Sequence, residues 1–188
     1  MSSPIVLFAP KERVFRIPQA NEVERIGTLI ELVGLGARTS RDIARKMEFK
    51  PRQSSYYREA GEVLGFLNSR RPYTLTDLGR EFLVSSSEKR IKLMVWALLR
   101  NPMIVEIMSA LRARIVLSVS IGDIEGLVGS VGRLKRTTVR RRAHTILAWL
   151  RWLHSHYGII SVNRNVVRLA NHQVMLADTL VGESRPRA

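Results

Sequence analysis

Residues 133–158, RLKRTTVRRRAHTILAWLRWLHSHYG, constrain the fold more than any other stretch of this chain. No acidic side chain occurs in them. At about 100° per residue, Val139, Ala143, Ile146, Leu147, Leu150, Leu153 and Tyr157 cluster on one side of a helix. A stripe of that length needs a core to receive it. Arg141, His144, Thr145, Ala148 and Trp152 lie opposite, with Arg140 and Arg142 on the two flanks. The cations crowd the start of the helix, where the macrodipole is already positive. Arg133, Lys135, Arg136, Arg140, Arg141 and Arg142 in one place are locally unfavourable without a counter-anion.

The whole chain leans the same way. Its net charge is +15 over 188 residues, and 25 of its 31 cations are arginine. The arginine fork pairs with phosphate and with the guanine edge through two prongs, which lysine cannot do. A field of this kind suits polyanions, and nucleic acid is the first candidate. No apolar run approaches the roughly 18 residues that span a bilayer, so no membrane partner is expected. The opening MSSPIVLFAPKER has too short an apolar patch for a signal peptide. With no cysteine, disulfides and thiolate metal sites are excluded. A cytoplasmic, nucleoid-associated location is the expectation.

Along the chain, residues 1–18 carry three prolines and read as an N-terminal arm. Val23, Ile26, Ile30 and Val33 recur at helical spacing, with Gly34 or Gly36 as the stop. Thr39 or Ser40 can cap a short helix burying Ile43, Ala44 and Met47. After Pro51 a longer helix places Tyr56, Ala60, Val63, Leu64 and Leu67 on one face. A turn, a short strand at residues 73–75 and a helix capped by Thr76 follow. Residues 87–101 read as a connecting helix. Beyond it come an amphipathic helix, a short β-rich stretch, a capped helix at residues 120–132, the basic helix, and two strands around an Asn-Arg-Asn turn.

Helix, helix, longer helix, turn and strand is the order of a winged helix. The second half repeats it. A shift of 83 places Ala60, Leu64 and Leu67 on Ala143, Leu147 and Leu150. The expected fold is therefore mainly α with short β wings, as two winged helix-turn-helix modules in tandem. The boundaries are residues 19–86 for the first module and 102–178 for the second, with a tail at 179–188.

In the second module, Arg141 and His144 face outward to base edges, and Arg140 and Arg142 flank them to hold phosphates. Thr137 and Thr138 stand where the helix begins, among amides suited to phosphate. In the first module Ser54, Arg58, Gly61 and Glu62 point outward, and Arg52, Gln53 and Tyr57 stand at the entrance or flank. Gln53 suits adenine and Arg58 suits guanine. Arg70 and Arg71 at the first wing, and Arg164 and Arg168 at the second, are placed to touch the backbone or minor groove. Trp149 reads as a seal between elements. Trp152 suits an inter-module or dimer contact, so a homodimer is among the expected assemblies.

RQSSYYREAGEVLGFL followed by YTLTDLGREFL resembles the winged-helix region attached to type II restriction endonucleases and related restriction-modification proteins. That region carries an RQ-x-x-YY-x-x-A-x-x-LG helix and an L-T-x-x-G wing. TTVRRRAHTILAWLRWL resembles its second helix, T-x-x-RR-x-x-T-x-x-x-W-L-x-W. The resemblance covers most of residues 20–170. It implies a DNA-recognition unit, with double-stranded DNA as the partner and a nuclease or methyltransferase beside it.

Catalysis is not expected in this chain. The lone E-x-K triplet, Glu48-Phe49-Lys50 with Asp42 upstream, sits around a short helix and not on a sheet. His154 and His156 point about 200° apart on a helix and cannot share an ion. The glycine-rich run at residues 126–132 lacks the G-K-[ST] ending of a phosphate loop. No cofactor or metal is expected. Within the DNA-binding class, a restriction-modification role competes with a transcriptional regulator. A protein-interaction module and an RNA binder are the other classes, and the RNA reading lacks any aromatic sheet platform.

Overall fold

The structure, a computed structural model, describes residues 16–170. The predicted arm up to residue 15, residues 171–178 and the predicted tail lie outside the described residues. The architecture is mainly helical with one small antiparallel sheet.

Helix α1 (Val23–Gly34) buries Val23, Ile26, Leu29, Ile30 and Val33, the predicted stripe with Leu29 added. α2 (Ser40–Lys46) begins with a capping box: Thr39 Oγ accepts from the Asp42 amide, and the Asp42 carboxylate accepts from the Thr39 amide. α3 (Pro51–Val63) has proline in its first turn, where the missing N–H costs nothing. α4 (Asp77–Val84) starts from Thr76 as predicted. α5 (Ser87–Leu99) occupies the predicted connecting segment.

The strand expected at residues 73–75 is reduced to a single bridge between Leu67 and Leu75. The chain turns into α4 too soon for a ladder. The Thr76 amide donates to the Phe66 carbonyl at 3.0 Å, and its hydroxyl donates to Gly65 at 2.6 Å. Gly79 backs directly onto that turn: a Cβ there would lie 2.2 Å from the Phe66 carbonyl oxygen. The L-T-x-x-G run thus has a physical reason for its threonine and its glycine.

The second half runs α6 (Pro102–Arg112), β1 (Val119–Ser120), α7 (Ile121–Ser130), α8 (Arg136–Tyr157), β2 (Ile160–Asn163) and β3 (Val166–Leu169). The strand order is β1-β3-β2, all antiparallel, with Val119 opposite Val167 and Val162 opposite the same residue on the other side. α7 opens with the same capping box as α2, here Ser120 with Asp123. Of the residues paired by the shift of 83, the apolar ones are alike in burial: Ala60 and Ala143, Leu64 and Leu147, Leu67 and Leu150 are all core, whereas Ser54 is buried and its counterpart Thr137 exposed, and Arg58 is half-buried and its counterpart Arg141 exposed.

The two halves share one hydrophobic core. α5 packs on α8, and a strap at residues 17–21 crosses α8 before α1 begins. Ile17 and Pro18, read from sequence as the end of an extended arm, are buried in that strap. Trp149 seals the joint, as predicted, with its Nε1–H donating to the Ala20 carbonyl at 2.8 Å. Its ring is fully buried.

Candidate nucleic-acid interface

α8 is 22 residues long and divides near its middle. Ala143, Ile146, Leu147, Trp149, Leu150 and Leu153 are buried. Val139 and Tyr157, the ends of the predicted stripe, are half-buried against the core. Ahead of this anchor, Arg133, Lys135, Arg136, Thr137, Arg140, Arg141 and His144 are exposed. Thr138 and Arg142 are half-buried. The N-cap is Lys135, no side chain caps the helix, and its first turn holds no acid. The amides at such a start have no intrahelical partner.

The contrast with the first half lies in pairing. Among the described residues, the ion pairs join side chains between Glu22 and Lys92. None of them involves the cations of α8, Arg164 or Arg168. The Nε of Arg142 is buried without a hydrogen-bond partner among the described residues. Some cations of the first half are held: Arg90 Nη1 lies 2.5 Å from Glu31 while its other nitrogens donate to the carbonyls of Phe82 and Leu83.

Thr145 is a correction. The helical wheel puts it with the outward residues, yet it is fully buried. Its hydroxyl lies 2.7 Å from Asn21 Oδ1 and 3.2 Å from the Arg141 carbonyl. The strap covers this part of the outer face, so the exposed reading surface is confined to the first turns. Gln19 and Asn21 of the strap, with Arg140, Arg141 and His144 of α8, line a recess of about 330 Å³. No sequence signal marks the strap residues, because nothing local shows that they meet a helix 124 positions away.

The matching helix of the first half is built differently, and several predicted residues turn inward. Ser54 is fully buried, its hydroxyl donating to the carbonyls of Pro51 and Ser40. Tyr57 is core: its ring stacks on Phe49 at 4.9 Å and its hydroxyl donates to Glu22 at 3.4 Å. Burial pushes its phenol up to about 12, with the nearby Glu22 carboxylate adding to the shift. Gly61 is buried beneath Leu67. Arg58 is half-buried, paired with Glu62 and lying 5.4 Å over the Tyr73 ring. Burial raises the Glu62 carboxyl even though Arg58 opposes the shift. The outward placement of Ser54, Arg58, Gly61 and Glu62 and the flank placement of Tyr57 are therefore overturned: α3 spends that face on its own core. Arg52 stays exposed with its Nε 2.6 Å from the Tyr56 hydroxyl, and Gln53 is half-buried. Arg70 and Arg71 are exposed in the loop between the bridge partners Leu67 and Leu75.

At the second hairpin, Arg164 sits at the tip with φ +52° and Arg168 is exposed on β3. Arg151, missed in the sequence reading, holds the tip from α8: its Nη2 donates to the Arg164 carbonyl at 2.5 Å and to Asn165 Oδ1 at 3.0 Å. Trp152 is half-buried, stacked on His156 at 4.0 Å, with its Nε1 unpartnered among the described residues. His154 and His156 each turn Nδ1 to a separate backbone carbonyl.

The E-x-K region has another occupation. Asp42 accepts from the amides of Arg38 and Thr39, and its hydrogen bond with Thr39, followed by that with Arg38, holds its carboxyl below the ordinary range. Among the described residues no group of three or more histidines and carboxylates is arranged to hold a metal ion. Among them, too, no single helix is long and apolar enough to cross a membrane.

Comparison with known proteins adds a family and little else. No curated protein and no solved structure matches the chain. Residues 25–157 match a family described as a domain of unknown function, DUF7226, and that span runs from α1 to the last residue of α8. It takes in both capping boxes and the whole basic helix, and on this match the chain belongs to the DUF7226 family.

Proposed function

We propose that the chain binds double-stranded DNA with sequence preference, as two winged-helix modules in tandem of which the second does the reading. One observation carries this reading. The exposed start of α8 concentrates cations, lacks a cap and an acid, and pairs with no carboxylate among the described residues. A polyanion compensates such a start, and a helix end is a ready anion site.

The order α6, β1, α7, α8 and hairpin, with strand order β1-β3-β2, supports the winged-helix reading of the second half. In this assignment α8 enters the major groove by its first turns. Arg141 and His144 face base edges, while Arg133, Lys135, Arg136, Thr137, Thr138, Arg140 and Arg142 hold phosphates. Arg164 and Arg168 lie along the backbone from the hairpin. Arg52, Gln53, Arg70 and Arg71 give the first half a lesser, phosphate-level contact.

The likeness to restriction-associated winged helices supports a place in a restriction-modification system, as the recognition component beside a nuclease or methyltransferase. A neighbouring gene for either enzyme favours that role, and a palindromic site upstream of the chain's own gene favours a regulator. Duplex binding followed through a salt titration tests the core of the proposal. Affinity is expected to fall with a log–log slope of about −0.9 per phosphate neutralised. Absence of duplex binding at low salt overturns it.

A further inference from the structure

The strap and α8 together make something that neither makes alone. Asn21 is exposed, and it does not cap α1, whose N-cap is Glu22 and carries no side-chain cap hydrogen bond. Its carboxamide is instead fixed from behind by the hydroxyl of the buried Thr145. That hydroxyl already has the Arg141 carbonyl within reach, as helix threonines commonly do, so it does not need Asn21 for its own satisfaction. The result is a polar group held in a set orientation at the wall of a recess shared with Gln19, Arg140, Arg141 and His144.

We propose that Asn21 is a specificity-determining residue: it reads the edge of one adenine in the major groove while Arg141 and His144 read its neighbours. The proposal rests on the DNA-binding reading of α8. Thr145 occupies one lone pair of Asn21 Oδ1. The other lone pair remains to accept from the adenine amino group, and Nδ2 remains to donate to N7. Trp149 fixes the strap one residue earlier, at Ala20, so the amide arrives pre-positioned and little side-chain entropy is lost on contact. A base reader thus comes from the far end of the sequence and sits on the reading helix of the second half.

The full chain and its variants are compared by selecting bound oligonucleotides from a random duplex pool, with melting temperature as the folding control. Asn21→Ala is expected to lose about tenfold discrimination at one A·T position, while binding to unselected duplex at low salt stays within about twofold. Thr145→Val, which frees the amide, is expected to soften preference at that same position only. Asn21→Asp keeps the acceptor for Thr145 and removes both donors, so preference there is expected to move from adenine toward cytosine. A base profile unchanged in Asn21→Ala and Asn21→Asp, or a uniform weakening on all sequences, overturns the proposal and leaves DNA binding intact. Wild-type binding without any sequence preference also overturns it. Absence of wild-type binding at low salt overturns this proposal and the function above together.

Discussion

The guanidinium of Arg151, on the long helix, reaches 2.5 Å from the carbonyl oxygen of Arg164 at the hairpin tip. The tip residue itself sits at φ +52°, which is disfavoured for any side chain bearing a Cβ. Arg164→Gly is therefore expected to raise stability by up to about 1 kcal/mol, since glycine adopts this conformation freely. The same change removes a cation from the proposed interface and is expected to weaken duplex binding a few-fold. Melting temperature and binding affinity moving in these opposite directions check the assignment. A fall in both would mean that the arginine side chain supports the hairpin.

Gly79 and Gly126 give opposite expectations for one chemical change. A methyl at Gly79 meets the Phe66 carbonyl oxygen at 2.2 Å, a backbone atom that cannot swing aside. Gly79→Ala is expected to cost at least about 2 kcal/mol, through a shift of the bridge or of α4. Gly126 lies within α7 with nothing inside 4 Å of the added carbon. Gly126→Ala is expected to gain about 0.5–1 kcal/mol from helix propensity alone. Denaturant melts of the two variants read this directly.

Arg140 and Arg141 are adjacent, equally exposed, and assigned different work. Arg141→Ala is expected to cost about 1–3 kcal/mol on the preferred site and to relax base preference. Arg140→Ala is expected to weaken all sequences alike and to lower the salt slope by about 1. Equal behaviour of the two in a titration over several sequences would contradict the division of the helix into faces.

Tyr57 predicts an alkaline limb in stability. Its phenol is raised by burial, then by Glu22, to about 12 in the folded chain, against the ordinary 10.0. The folded value lies above the unfolded one. The contribution of the neutral phenol is thus fully present below pH 10 and is lost as pH rises through about 12. Tyr57→Phe is expected to be less sensitive across that window, and denaturant midpoints measured through it provide the check. At neutral pH the variant loses only a 3.4 Å hydrogen bond, so little change is expected there.

How far the sequence reads depends on the range of the forces involved. Capping is local, so Thr39, Thr76 and Ser120 mark helix starts that the structure reproduces. Apolar period is nearly local, so the stripe of α8 and the buried face of α1 were both legible. Ser54 and Thr145 were not. Each is a small hydroxyl residue on a polar-looking face, and each is buried because a distant segment supplies its partner: Ser40 in one case, Asn21 in the other. A helical wheel counts only residues on the helix and cannot see what lies across it. Arg58 was misplaced for a related reason. Its partner Glu62 is one turn away and visible in sequence, but the Tyr73 ring beneath it is not. The basic start of α8 stands out because no acid is near it in sequence, and in the structure its cations form no ion pair among the described residues.

Where residues 17–21 cross α8 they act as a collar. Residues 136–144 lie ahead of it, roughly 13 Å of helix at 1.5 Å per residue. The major groove of B-DNA is about 8.5 Å deep. Because that length exceeds this depth, the proposed DNA binding requires α8 to lie obliquely in the groove rather than end-on, which keeps Asn21 of the collar beside the base edges that Arg141 and His144 would face. With Trp149 pinned beyond it, the helix has no free pivot against the strap, so its angle to any ligand that meets its first turns is fixed by the fold.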